Sequence, residues 1–323
     1  MNFGGVIRLN KTGLCILGVF LIFFLYTFTK NGRSKVENKI SLNKLLTVAI
    51  EAAESGGRMV VATKDNMNLK SKGLTNEGLL DPLTAADLLS HCSMVQMIKH
   101  HFPSLTIISE EKAACLENES IPSPLKNLLD DQLDQEVNNH EVVIWLDPLD
   151  ATYEYSEKLY QYVTTMVCVA VKGKAVIGVI HNPFNKTTSW IWINKTMSKD
   201  LHANLEIRKK NVTKIVVSRS HRGEIESILK NNVNLNKNPY QLVIAAGAGY
   251  KALQVAKREV DAYLHATAIK KWDVCAGNAI ISGLGGEMTD KYGNAIDYSD
   301  PKNVVLNGLV ATLSGQDRFL GIL

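Results

Sequence analysis

The 323-residue chain has five cysteines, and no two of them are spaced C-x-x-C. That spacing is the usual mark of a zinc site or a dithiol redox motif, so both classes are set aside. Cys15 falls in an apolar run near the start, and Cys115 lies in a polar stretch. Cys92, Cys168 and Cys275 lie in apolar-patterned segments and read as buried free thiols. The chain also lacks a basic surplus. Its formal net charge is +4, but Arg8, Lys11, Lys30, Arg33 and Lys35 all precede residue 36, with no acid among them. Without those five, 31 basic residues face 32 acidic ones. A polymeric nucleic-acid partner needs a basic excess, so that class is excluded. Internal repeats and long low-complexity segments are absent too.

One long apolar run is present. Residues 12–29 are 18 uncharged positions between Lys11 and Lys30. That is near the lower limit for a membrane span of about 20 residues. A cleaved signal peptide has a shorter apolar region, roughly 7–15 residues, and a small-residue cleavage site. Here "TFTKNGRSK" follows instead. The run is expected to be an uncleaved signal-anchor. Basic residues flank both ends, so the positive-inside rule does not orient it. Asn-x-Ser/Thr sequons at Asn118, Asn185, Asn194 and Asn211 lean towards a lumenal body, although they are a weak signal alone. The expected organisation is a short cytosolic tail (1–11), the anchor (12–29), a stalk (30–40), an α+β subdomain (41–210) and an α/β subdomain (211–323).

Periodicity divides the body. From Ser41 a helical face carries Leu45, Val48 and Ala52. Residues 64–80 are polar and read as a loop. "DPLTAADLLSHCSMVQMIKHHF" opens a second helix, with Leu88, Cys92, Val95 and Ile98 at helical spacing. "LTIISE" is a short strand, and residues 112–140 read as an irregular insertion. Strands follow at 141–146, 162–171, 175–180 and 188–193, with a hairpin turn at "VKGKA". From Asn211 strands and helices alternate, the pattern of an α/β unit.

Three acidic sites stand at element ends. Glu110 and Glu111 close "LTIIS", Asp147 and Asp150 close "VVIWL", and Asp273 opens the helix "VCAGNAIISGL". Each alone has an ordinary explanation. A Glu-Glu pair is usually a solvated turn, Asp-x-x-Asp is more often a turn or cap, and Asp273 serves as a helix cap. Thr84-x-x-Asp87 matches a capping box. Together they form an all-oxygen donor set without His or Cys, which selects a hard cation such as Mg²⁺. A cation also explains how Asp147 and Asp150 tolerate each other.

In this order the segments "DPLTAAD" (81–87), "ISEE" (108–111), "WLDPLDAT" (145–152) and "KKWDVCAGNAII" (270–281) resemble the inositol monophosphatase superfamily of Mg²⁺-dependent, lithium-sensitive phosphatases. The resemblance runs from about residue 41 to near the end. It implies a layered α-β-α-β-α sandwich. Glu110, Asp147, Asp150, Asp273 and the Leu149 carbonyl would hold Mg²⁺. Asp87 and Thr152 would activate the attacking water beside it. Ala151 stands where the family commonly has Gly. That variant, with "EYSE" after it, is similar to the branch that removes the 3'-phosphate of adenosine 3',5'-bisphosphate in the Golgi lumen, clearing a by-product of sulfation. Substrate contacts would come from Ser218 and His221 of "VVSRSH" and from Gly247, Gly249 and Lys251 of "AGAGYK", whose glycines permit close approach of a ligand. Alone, Gly247 and Gly249 would only shape a turn and His221 would only cap a helix. Expected partners are a small nucleotide substrate, a membrane through the single N-terminal helix, and a second copy in a homodimer. The alternatives are an inositol monophosphatase and a catalytically dead relative; the intact acids and Thr152 speak against the latter.

Overall fold

A computed structural model describes residues 18–24, 39–65, 70–74, 80–115, 134–202, 212–220, 225–231, 239–302 and 305–323. Residues 1–39 and 40–323 form two separate units. In the first, residues 18–24 are helical, and the side chains from Val19 to Phe24 are exposed. The rest of the expected anchor and most of the stalk lie outside the described residues. Among the described residues no helix is long and apolar enough to cross a membrane.

Strand β1 (Lys39–Ser41) lies at the boundary of the second unit, and helix α1 (Leu42–Ala62) follows. The Ser41 hydroxyl accepts from Lys44 N at 3.0 Å and starts the helix. The stretch read as a loop contains a hairpin instead, β2 (Lys70–Leu74) with β3 (Leu80–Leu83). "KSKGL" offers no apolar face, so periodicity gives no strand signal; the partner strand satisfies its backbone. Helix α2 (Ala85–His101) follows, capped by Thr84.

A six-stranded sheet is built from β4 (Thr106–Ser109), β6 (Val142–Asp150), β7 (Thr164–Val171), β8 (Lys174–Asn182), β9 (Thr187–Trp192) and β10 (Thr196–Met197), in the order β10-β9-β8-β7-β6-β4. Only β4 and β6 run parallel. Lys172 and Gly173, both at positive φ, make the expected β7–β8 turn. Strand β5 (Glu136–Asn138) pairs with β1. A five-stranded sheet orders β12 (Tyr240–Ala245), β11 (Thr213–Ser218), β13 (Ala262–Lys270), β15 (Val305–Thr312) and β14 (Glu287–Asp290). The remaining helices are α3 (Thr152–Ser156), α4 (Lys199–His202), α5 (Ile225–Asn231), α6 (Ala248–Ala256) and α7 (Lys271–Gly283).

Strand alternation sets the layers, because successive side chains point to opposite faces. Ile144 and Leu146 of β6, with Val167 and Val169 of β7, pack on Leu45, Ala49, Met94 and Ile98 of α1 and α2. Their alternates Trp145, Met166, Cys168 and Ala170 pack on α6 and α7, through Ala248, Ala252, Cys275 and Ala279. The other side of those helices meets Val216, Tyr263 and Leu309 of the second sheet. Ile215, Val217 and Leu264 then cover Ile225 and Leu229 of α5. The result is the expected α-β-α-β-α order.

The cysteine reading is corrected. Cys92 is bonded to Cys115, and Cys168 to Cys275. The partners are 23 and 107 residues apart in sequence, so no local pattern pairs them. Cys168 alternates onto the face that α7 covers, and there it meets Cys275.

Candidate active site

Parallel pairing of β4 and β6 sets Ser109 opposite Leu146 and brings Glu110 beside Asp147 at the same strand ends. Glu110 N donates to Leu146 O at 3.1 Å. The β6 strand runs on through the Asp-Pro-Leu-Asp turn, with a register break between Asp147 and Asp150. Ala151 then adopts φ 68°, the left-handed region. That explains why Gly suits this position, and Ala here accepts some strain.

Asp147 is buried, and its Oδ1 accepts from Leu149 N at 3.2 Å. Burial pushes its carboxyl well above the ordinary range, and the charges of Glu110, Asp150 and Asp273 push the same way. Asp273 behaves alike: burial raises it strongly, with Glu110 and Asp150 adding to it, while Lys270 N donates to Oδ2 at 2.9 Å. Burial also pushes Glu110 up to about 7, against the pull of Lys72. Lys72 Nζ lies 2.9 Å from Glu110 Oε1 and also pairs with Glu111. Burial works against the Lys72 charge, but the two glutamates outweigh it and hold the ammonium above the usual lysine range.

Asp150 is raised by burial as well, although Lys251 and several donors oppose the shift. Its Oδ1 accepts from Ala248 N at 3.0 Å, and its Oδ2 from Gly249 N at 2.8 Å and Thr164 Oγ1 at 3.0 Å. This places the start of α6 directly on the carboxylate. The two glycines of this segment also sit close to protein atoms. A Cβ at Gly249 would lie 2.6 Å from Thr164 Oγ1 and from Met166 Sδ. One at Gly247, where φ is 70°, would lie 2.6 Å from Tyr162 O and 3.0 Å from Asp150 Oδ2. The close approach seen here is to Tyr162, to β7 and to Asp150 of the protein itself.

The Asp87 capping box is present, with Oδ2 accepting from Thr84 N at 2.7 Å and Thr84 Oγ1 at 2.6 Å. Oδ1 is left for Thr152, whose Oγ1 lies 3.0 Å away. The same hydroxyl lies 3.0 Å from Leu149 O, so its single proton has two acceptors. Burial pushes Asp87 up to about 6. Capping and contact with the Asp-Pro-Leu-Asp-Ala-Thr turn therefore coexist in one side chain.

The substrate residues divide. Ser218 ends β11 and is buried against His265 Nδ1 at 3.1 Å. Lys251 is buried with its Nζ 5.1 Å from the Tyr263 ring centre, and burial lowers it to about 8 against the charges of Asp150, Glu154 and Asp273. His221 lies outside the described residues. Lys271 is buried near Trp145 rather than facing the acids.

The donor set fits a hard divalent ion. Burial raises all four carboxylates, neighbouring acids add to it at Asp147, Asp273 and Glu110, and a cation among them reverses that penalty. Among the described residues no three carboxylates converge as ligands of one ion; Glu110 pairs with Lys72, and Asp147, Asp150 and Asp273 accept from Leu149 N, from the start of α6 and from Lys270 N.

Residues 41–317 match the family model described as the inositol monophosphatase family. The chain belongs to that family. The chain is 41% identical to a putative inositol monophosphatase 3 of Drosophila pseudoobscura pseudoobscura, covering 98% of this chain and 94% of the relative. It is 38% identical to the Golgi-resident adenosine 3',5'-bisphosphate 3'-phosphatase of Mus musculus, covering 92% and 86%. The structure of CysQ from Bacteroides thetaiotaomicron superposes with a TM-score of 0.62 at 19% identity, over 84% of this chain and 98% of that one. An inositol monophosphatase from Anabaena gives 0.59 at 20% identity, over 87% and 95%. At such identities the superpositions show the fold alone. Membership makes the chain a phosphatase of the inositol monophosphatase type.

The sequence reading missed Lys72, Ser90, whose Oγ donates to Pro148 O, His91, whose Nδ1 lies 2.8 Å from Ser109 Oγ, and Glu154, whose charge acts on Lys251. Lys72 lay in a stretch read as a loop. Ser90 and His91 sit on the second helix and carry no motif.

Proposed function

We propose that the chain is a Mg²⁺-dependent phosphomonoesterase that removes the 3'-phosphate of adenosine 3',5'-bisphosphate. The observation that carries the chemistry is the 3.0 Å contact between Thr152 Oγ1 and Asp87 Oδ1, at the edge of the acid cluster. Glu110, Asp147, Asp150, Asp273 and the Leu149 carbonyl would hold Mg²⁺, which neutralises phosphate charge and makes water a better nucleophile. With Leu149 O holding the cation, Thr152 would be left to donate its proton to Asp87 Oδ1. The hydroxyl lone pairs then accept a proton from water, and Asp87 Oδ1 takes the Thr152 proton. Asp87 Oδ2, fixed by two donors from Thr84, keeps the acceptor oxygen aimed. Lys251, buried beside Asp150, Glu154 and Asp273, adds a positive charge to the cluster.

The substrate choice draws on the "DPLDATYEYSE" variant and on the adenosine bisphosphate phosphatase among the relatives. Inositol monophosphate is the second reading, favoured by the names of relatives at 41% and 40% identity. A lumenal, membrane-anchored placement draws on three observations. The part of the apolar run that is described is helical and exposed. Two disulfides suit an oxidising compartment. Sequons Asn185 and Asn194 stand in exposed turns. The deciding experiment is phosphate release with Mg²⁺ against adenosine 3',5'-bisphosphate, inositol 1-phosphate and fructose bisphosphate. A higher kcat/KM for the adenosine compound is expected. Equal or higher values for inositol 1-phosphate select the second reading, and no release from any of them rejects the enzyme.

A further inference from the structure

Three consecutive residues of α2 each fasten a different part of the acid cluster's support. Ser90 is fully buried, and its Oγ donates to Pro148 O at 2.6 Å, inside the turn between Asp147 and Asp150. His91 is buried too. Its Nδ1 lies 2.8 Å from Ser109 Oγ, the residue before Glu110, and its ring also bonds the Ala113 backbone, beyond Glu111. Cys92 is joined covalently to Cys115. The segment 109–115 that carries Glu110 and Glu111 is therefore held at three points, while the Asp147–Asp150 turn is held at a fourth.

Packing leaves these contacts little freedom. A Cβ at Gly56 of α1 would lie 2.5 Å from Ser90 Oγ and 2.7 Å from Met94 Sδ, so α1 closes over the serine. Asp87 lies one turn before Ser90 on the same helix, and it meets Thr152 just past the same turn. One rigid helix thus spans both strand ends. Its backbone fixes the distance between the β4 end and the β6 turn, which hydrogen bonding within the sheet alone does not set beyond Leu146.

We propose that Ser90, His91 and the Cys92–Cys115 bond form a positioning clasp that sets the Glu110 segment against the Asp147–Asp150 turn, and thereby sets divalent-cation affinity. None of the three touches substrate or cation; they act through the backbone that carries the ligands. The inference rests on the reading of those acids as cation ligands. Groups that orient ligands from behind typically change metal affinity by roughly 10–100-fold when removed.

The test is a Mn²⁺ titration of the full chain, read by the loss of the free-ion electron paramagnetic resonance signal. Ser90→Ala, His91→Leu and the double variant Cys92→Ser/Cys115→Ser are each expected to bind on the order of tenfold more weakly. His91→Asn keeps a polar atom near the Nδ1 position and should recover most of the loss. Phosphate release should show the same split: a raised cation half-saturation, with kcat restored once the cation saturates. If Ser90→Ala loses its cooperative melting, Ser90→Cys carries the test, since it fills the space with a weaker donor. Wild-type affinity in folded variants overturns the clasp alone. A wild-type chain that binds no Mn²⁺ overturns the cation reading, and the clasp with it.

Discussion

Asp87→Asn separates the two tasks of one carboxylate. Oδ2 serves the cap through Thr84 N and Oγ1, while Oδ1 faces Thr152. Asparagine keeps one oxygen for the cap but presents NH₂ to the threonine, so it cannot take a proton there. Weakening the cap costs about 1 kcal/mol. Burial acts in the other direction. It raises Asp87 from the ordinary 3.8 to about 6. Keeping the group ionised at neutral pH then costs the fold about 3 kcal/mol. The sign follows from proton binding. Between those two values the folded state holds the proton more than the unfolded state does. Stability therefore falls as pH rises through the window from 3.8 to about 6, and stays low above it. Asparagine escapes that loss, and the burial cost exceeds the cap cost. Without cations at pH 7, Asp87→Asn should be about 2 kcal/mol more stable and melt a few degrees higher. Below about pH 4 the gain should turn into the small cap loss. With saturating Mg²⁺, kcat should fall by roughly 10²–10⁴. Calorimetry in chelator at both pH values, with kinetics on the same preparation, checks both halves. Unchanged kcat in a folded variant would reduce Asp87 to a cap. A lower melting temperature at pH 7 would refute the burial argument.

Chelation should abolish phosphate release, Mg²⁺ should restore it and Li⁺ should inhibit it; full activity after exhaustive chelation would sink the cation assignment. Gly249→Ala sets a methyl 2.6 Å from Thr164 Oγ1 and Met166 Sδ, which drives the start of α6 off Asp150. It should cost on the order of 1–3 kcal/mol in urea unfolding, and a cost near zero would mean that the approach is looser than described. Protease treatment of intact microsomes should spare residues 30–323, and their digestion would refute the lumenal placement.

Much of the fold was legible because burial follows a period. The 2.0-residue alternation of "VVIWL" and "TTMVCVAV" sends Ile144 and Val167 to one layer and Trp145 and Cys168 to the other. The acids were legible because each ends an element. What escaped the sequence is tertiary. Nothing local pairs Cys168 with Cys275, and the hairpin holding Lys72 has no apolar face to announce it. The glycines of "AGAGYK" were visible, but not the carboxylate of Asp150 against which they pack. Thr84-x-x-Asp87 was the opposite case: the motif predicted a cap and the family predicted catalysis, and the geometry accommodates both.

The cost of gathering these acids is offset in part at helix starts. Asp87 stands at the third position of α2 and accepts from Thr84 N. Asp150 accepts two amides at the start of α6. Asp273 stands at the third position of α7 and accepts from Lys270 N. Each helix N-terminus carries free amide donors and a partial positive charge, so three of the five acids are stabilised by backbone that does not move or titrate. A carboxylate holding one or two amides still has lone pairs for another partner. Asp147 has a weaker version of this in Leu149 N at 3.2 Å. Glu110 differs, because its neutralising partner is the flexible side chain of Lys72. The helix donors can remain in place when a cation is bound, whereas the Lys72 ammonium competes for the same charge. Within the cluster, Glu110 thus leans on a side-chain ammonium with no backbone donor beside it among the described residues, whereas Asp150 has the buried Lys251 as well as its two amides.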